Sequence, residues 1–168
     1  MSDDVKTPWN PSKKATARVK DALPAPCECR FCQGEVTIEK NSKIYSGREY
    51  GEWPWIYFCN SCGASVGLHP FTNIPLGTLA DKPTKNARKN VKNKFYTFMD
   101  EASVSRNEAY SLLADMMDIP KSECHFGWFD VSDCDKANIA LDKLLSGERR
   151  KPINPNSPFA ALSGYFKK

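Results

Sequence analysis

The chain has 168 residues, 40% hydrophobic and 26% charged, an ordinary globular composition that excludes wholesale disorder and allows one or two small domains. The formal net charge is only +4, and no apolar run reaches the length of a membrane span, so a membrane partner is not expected. The first twenty residues mix acids and bases without an apolar stretch, which predicts no secretory signal and a cytoplasmic location.

Residues 1–26 read as a flexible, basic, proline-rich arm. Pro8, Pro11, Pro24 and Pro26 interrupt any helix, and Lys13, Lys14, Arg18 and Lys20 are scattered along it. Trp9 is out of place in such an arm and is expected to dock.

Residues 27–81 read as a zinc ribbon and its following loop. Cys29-x-x-Cys32 is followed by Gln33 and Gly34, and Cys59-x-x-Cys62 by Gly63. Each pair sets two thiolates on one tight turn, and a glycine just after the pair lets backbone N–H groups approach the sulfurs. Two such turns make a tetrahedral four-thiolate site of the kind zinc takes. The 26-residue insert is longer than usual for a ribbon but keeps the pattern. Two disulfides or two redox pairs are the alternatives. A redox pair belongs beside a βαβ pattern, which is not visible here, and a reducing cytosol favours thiols. Val36 to Ile38 and Trp53 to Phe58 predict strands, with Trp53, Trp55 and Tyr57 on one face and Ile56 and Phe58 on the other. Pro54 confines the second strand's start to an edge or an end. Residues 70–80 predict a loop.

Residues 82–147 predict three helices. Ala87, Val91, Phe95 and Phe98 stripe the first, from about Pro83 to Met99. Ser105 and Glu108 form a capping box for the second, striped by Ala109, Leu112, Leu113, Met116 and Met117 and stopped by Pro120. The third is expected to start at Ser132 with Asp135 in the box position. Its stripe is Ala137, Ala140, Leu141, Leu144 and Leu145, and Gly147 caps its end. Residues 148–168 read as a basic tail with an apolar end. The fold expected is α+β: a four-cysteine zinc ribbon with a small antiparallel sheet, packed on about three helices, with flexible termini.

The ordered series Cys29-x-x-Cys32, Cys59-x-x-Cys62, Val66-Gly67-x-His69, Pro75 to Asp81, Arg106-x-Glu108-Ala109-Tyr110 and Cys124-His125-Phe126-Gly127-x-Phe129-Asp130 resembles a zinc-finger-containing domain of unknown function found in phages and bacteria. The resemblance spans about residues 27–145. It implies a zinc-ribbon start, Cys29, Cys32, Cys59 and Cys62 as Zn2+ ligands, and a phage or bacterial origin, with no established activity. Arg30-Phe31 stands where the family more often has proline and an aromatic, and the first helix is unusually rich in Lys and Asn.

Other residues carry chemistry that competes with this reading. Cys27, Cys124, His125 and Cys134 are the residues for a second metal site, against a spare thiol and buried apolar cysteines. His69 and His125, with Asp81 or Asp130, are the candidates for a base and a metal ligand in phosphodiester hydrolysis; local hydrogen bonding is the plainer role. Residues 82–94 carry six basic groups and no acid, so Lys85, Arg88, Lys89 and Lys92 are candidate phosphate contacts, with Arg88 and Asn90 available for base edges. Trp53, Trp55 and Tyr57, with Tyr45 and Tyr50 nearby, offer either base stacking or core contact with the helices. Phe159, Leu162, Tyr165 and Phe166 resemble a sliding-clamp-binding motif with its glutamine replaced.

The expectation is a small phage-type zinc-ribbon accessory protein. It binds nucleic acid, DNA rather than RNA, through a basic helix, and the 159–166 tail recruits a host or replication protein. A metal-dependent nuclease and an adaptor that modulates a host enzyme are the alternatives, so enzymatic activity stays open. A phage-encoded protein would work in the host cytoplasm.

Overall fold

The computed structural model describes residues 4–147. The sliding-clamp-like tail therefore lies outside the described residues. The chain divides into two units at Lys82–Pro83.

The first unit is a three-stranded antiparallel sheet in the order β1-β2-β3, with β1 Val36–Lys40, β2 Trp55–Cys59 and β3 Ser65–Gly67. Register follows the pleat. Val36 faces Cys59 and Lys40 faces Trp55, while Tyr57 pairs with both Ile38 and Val66. Because β2 is central, Pro54 lies just before it, where its missing N–H breaks no ladder bond. Trp55, Tyr57 and Cys59 share one strand face by the two-residue period. Tyr57 and Cys59 join Cys29, Val36, Ala64, Leu68 and Leu79 in the core.

The β1–β2 connection is held by buried Asn41. Its amide donates to the Tyr50 carbonyl at 2.8 Å and accepts from the Tyr50 N–H. The loop after β3 is also organised. Leu68 bridges to Pro75 and Ser65 to Ala80. Fully buried Thr72 donates to the His69 carbonyl and accepts from the Ile74 N–H.

The prolines of the arm do not exclude a helix. A short helix, α1 Lys13–Arg18, starts right after Pro11 with Ser12 accepting from the Ala15 N–H. Prolines flank this segment and none lies inside it, so no helical hydrogen bond is lost. Pro8 is fully buried, and the Ser12 N–H donates to the Phe71 carbonyl at 2.9 Å.

The second unit holds α2 Lys82–Ala102, α3 Arg106–Met117 and α4 Val131–Leu145. Val91, Phe95 and Phe98 fall on one stripe of α2, and all are buried. They meet Ala109, Leu113 and Ala114 of α3, and Ala137, Ala140, Leu141 and Leu144 of α4. Phe95 lies 4.6 Å from Tyr110 and 5.1 Å from Phe126, ring centre to ring centre. The capping box at Ser105 and Glu108 closes in both directions.

The α4 cap differs from expectation. Asp130 caps the helix and Asp133 completes the box, two residues before Ser132 and Asp135. Both pairs have the box spacing. Asp130 wins because Phe129 before it and Cys134 four residues after it are both buried, the two ends of a hydrophobic staple. Gly147 follows α4 at a φ of +83°, a conformation glycine adopts without strain.

Candidate metal centre

The two cysteine turns are built alike. In the first, the Cys29 N–H donates to the Gly34 carbonyl and the Gln33 N–H to the Cys29 carbonyl, both at 2.8 Å. In the second, the Cys59 N–H donates to the Ala64 carbonyl at 2.8 Å and the Gly63 N–H to the Cys59 carbonyl at 3.0 Å. Backbone N–H groups also point at sulfur. Phe31 donates to Cys29 Sγ and Cys62 to Cys59 Sγ, each at 3.5 Å. Such donors stabilise thiolate charge.

Glycine does different work in the two turns. The left-handed residue of the second is Gly63, at φ +79°; in the first it is Gln33, at φ +60°. Gly34 is needed for another reason: a Cβ there would stand 2.8 Å from Ser61 Cβ, in the opposite turn.

The four sulfurs meet at one point. Cys29 Sγ lies 3.6 Å from Cys62 Sγ, and Cys32 Sγ 3.5 Å from Cys59 Sγ. All four lie within 4.8 Å of one another. A disulfide needs about 2.0 Å, and all seven cysteines are free. A tetrahedral ion with metal–sulfur bonds of about 2.3 Å needs sulfurs about 3.8 Å apart, close to what is seen. The cluster therefore fits a metal ion.

Crowding splits the thiols' acidity. Hydrogen bonds, first the Cys62 N–H, pull Cys59 down to about 6. The Ala64 N–H pulls Cys62 the same way, but burial and the three neighbouring sulfurs push it up to about 12. Cys32 also rises, because the Cys59 sulfur and burial outweigh the Gly34 N–H. One negative charge forms readily and the next ones resist. A divalent cation at the centre removes that conflict.

The second metal group does not form: among the described residues, the four ribbon cysteines are the set close enough to hold an ion. Cys27 is exposed in the first unit. Cys124 and Cys134 are buried in the helical core, where loss of water pushes each thiol up to about 11. They pack there as small apolar side chains.

The two histidines belong to different units. His69 starts the 69–74 turn that closes around buried Thr72, and its own partial burial lowers its pKa. His125 packs on Trp128 with ring centres 4.4 Å apart. The Asp130 carboxylate accepts from the Asp133 N–H as a helix cap. Asp81 lies half-buried just before α2. The run from Cys124 to Asp130 thus has a structural part: Cys124, Phe126 and Phe129 are core, and Asp130 is a cap.

The basic residues of α2 divide. Arg88 turns inward, its Nε donating to the Phe129 carbonyl at 2.7 Å. Lys94 pairs with Asp142 at 2.7 Å. Lys82, Lys85, Lys89 and Lys92 are exposed. At 100° per residue, these four and exposed Tyr96 fall within one stripe about 80° wide. Lys92 Nζ lies 6.0 Å from the Tyr96 ring centre, as the stripe requires. Arg88 therefore lies off the lysine stripe, and Lys82 lies on it. The regular spacing Thr84, Arg88, Val91, Phe95, Phe98 already put Arg88 on the inner stripe.

Most of the expected stacking face is taken up within its own unit. Tyr57 is buried, its hydroxyl donating to the Asn73 carbonyl. Trp53 Nε1 donates to the Thr72 carbonyl, and Trp55 meets Trp9 edge-on at 5.2 Å. Tyr45 and Tyr50 stay exposed and pack on each other.

No curated protein and no solved structure matches the chain. One family model does match, over residues 25–143, from just before the first cysteine turn to near the end of α4. The chain belongs to the family of that model, the zinc-finger-containing domain.

Proposed function

We propose that the protein is a small nucleic-acid-binding accessory protein in which zinc is structural and the lysine stripe of α2 grips phosphates. Four thiolates complete a tetrahedral shell and leave no position for water or substrate, as in structural zinc sites. The ion would hold the two cysteine turns together, and the chemistry it supplies there is cross-linking. Free thiols throughout suit a reducing cytoplasm.

The observation that carries the binding reading is the stripe of Lys82, Lys85, Lys89 and Lys92. These lysines sit in the N-terminal half of α2, where the helix dipole disfavours positive charge. Within the helix the first acidic residue is Asp100, and Asp81 lies just before the first turn. A polyanion would release counterions on meeting that exposed stripe.

The test is affinity for duplex DNA as a function of salt. Four phosphate contacts give a log–log slope of about −3.6, at about −0.9 each. Replacing Lys89 and Lys92 with Ala should flatten it by about 1.8 and weaken binding similarly for every sequence. An unchanged slope in the double variant would show that the stripe is a solvated helix face.

A further inference from the structure

The arm holds an aromatic side chain where folding has little use for one. Thr7 and Asn10 close a tight turn by mutual backbone hydrogen bonds, and Pro8 within it is fully buried. The next residue, Trp9, is 67% exposed. Its ring is still fixed, edge-on to Trp55 at 5.2 Å. A surface tryptophan on an anchored turn is a costly ornament unless something covers it, since its large apolar area gains most by burial.

A second ring stands on the loop after β3, to which the arm is tied. Phe71 is 40% exposed, tilted against Trp53 at 5.2 Å, and its carbonyl receives the Ser12 N–H that ties down the arm. Its φ is +61°, which is rare and strained for a bulky side chain. The arm that carries Trp9 is mostly basic. Residues 4–20 carry Lys6, Lys13, Lys14, Arg18 and Lys20 against Asp4. Lys13, Lys14 and Arg18 are exposed on α1, directly after the anchor.

We propose that Trp9 and Phe71 form a stacking platform for unpaired bases, with the lysines of α1 taking the adjoining phosphates, so that the first unit binds single-stranded nucleic acid. Exposed rings within a positive surface are the combination that single strands require: every base has a face to stack, and every linkage carries a negative charge. A duplex hides its base faces and gains only the charge contacts. The platform uses none of the α2 lysines, so it stands independently of the stripe.

The experiment uses the full-length, zinc-loaded protein and a short oligothymidylate, beside a duplex of equal length. Trp9→Ala should weaken the single strand about tenfold and leave the duplex unchanged. Phe71→Ala should act in the same direction. Trp9→Phe should retain most of the affinity but lose the quenching of indole emission that stacking produces in the wild type. Intact zinc content and an unchanged far-UV spectrum separate a lost platform from a lost fold. Single-strand affinity unchanged in Trp9→Ala would overturn the platform, even if the Lys89/Lys92 variant still weakened duplex binding. A loss in Trp9→Ala with no effect of the α2 lysines would support the platform and defeat the stripe. Self-association or proline-rich peptide binding lost in Trp9→Ala, with oligonucleotide affinity intact, would give the face to another occupant and also overturn it.

Discussion

The two units reach order by different means. The helical unit has a conventional interior in which Val91, Phe95, Phe98, Leu113 and Leu141 are essentially inaccessible to water. The ribbon's core includes two metal-site cysteines together with Val36, Tyr57, Ala64, Leu68 and Leu79, and Ile38, Trp53, Trp55 and Val66 pack against it. Three strands of five, five and three residues make a small sheet, and small domains commonly rely on a staple. One unit is organised around an apolar interior, the other around a cluster of four cysteines that fits a metal ion.

Metal removal should break the molecule along that line. In zinc-finger peptides metal binding contributes an apparent ~10–16 kcal/mol at neutral pH, more than a whole small domain's stability. Chelation should therefore unfold the ribbon while the helical signal persists, read as lost near-UV Trp signal with retained far-UV ellipticity at 222 nm. Cys59→Ser should do the same, and Cys27→Ser should not. Acid should act like chelator. With Cys62 near 12 and Cys32 raised, both are protonated at about pH 7, and metal binding releases both protons to solvent. Falling pH thus opposes loading. Below about 6 Cys59 protonates too, and the stability its lowered pKa gives the metal-free ribbon at higher pH is lost. Zinc retained by Cys59→Ser would remove the contrast between the units.

The converse cut goes through the helices. Phe95 touches Tyr96, Tyr110 and Phe126 and has no exposed surface. Phe95→Ala should cost about 3–5 kcal/mol, most of what a unit this size possesses. The measurement is thermal unfolding at 222 nm with zinc content followed in parallel. The helical transition should fall steeply and zinc stoichiometry should stay at one per chain. Simultaneous loss of zinc would show that the ribbon depends on the helical core.

What the sequence disclosed follows the same division. The cysteine pairs and the capping box at Ser105 were legible because their chemistry is local: two thiols on a turn, or a hydroxyl and a carboxylate three residues apart. The stripe Val91, Phe95, Phe98 was legible by period. The start of α4 was misplaced by two residues because Asp130–Asp133 and Ser132–Asp135 share one spacing, and the deciding pair, Phe129 and Cys134, had to be read as a staple. Arg88 was placed among the outward-facing basic residues because charge outweighed its position on the inner stripe. Nothing local announces that Pro8 is buried or that the Ser12 N–H reaches Phe71. These are long-range contacts, so the ordered arm around Trp9 could not be read from its prolines.

The smallest expected effect lies between the two cysteine turns. They share backbone hydrogen bonds but not the residue at the left-handed position, Gln33 in one and Gly63 in the other. A side chain there costs roughly 1–2 kcal/mol in an L-residue, and glycine returns about 0.5–1 of it through the greater freedom of its unfolded chain. Gln33→Gly should therefore stabilise the zinc-loaded ribbon slightly, by about 0.5–1 kcal/mol, with the affinity for zinc equal or higher. The Gln33 side chain is exposed, so no packing is lost. Gly63→Ala should move the other way by a similar amount. A Cβ at Gly63 meets nothing within 4 Å, so its cost is backbone strain alone. Zinc-loaded melting curves of the two variants and their double combination should then show opposite, additive shifts. If Gln33→Gly is instead clearly destabilising, the glutamine contributes something a left-handed turn residue does not need, and the near-equivalence of the two turns ends at their hydrogen bonds.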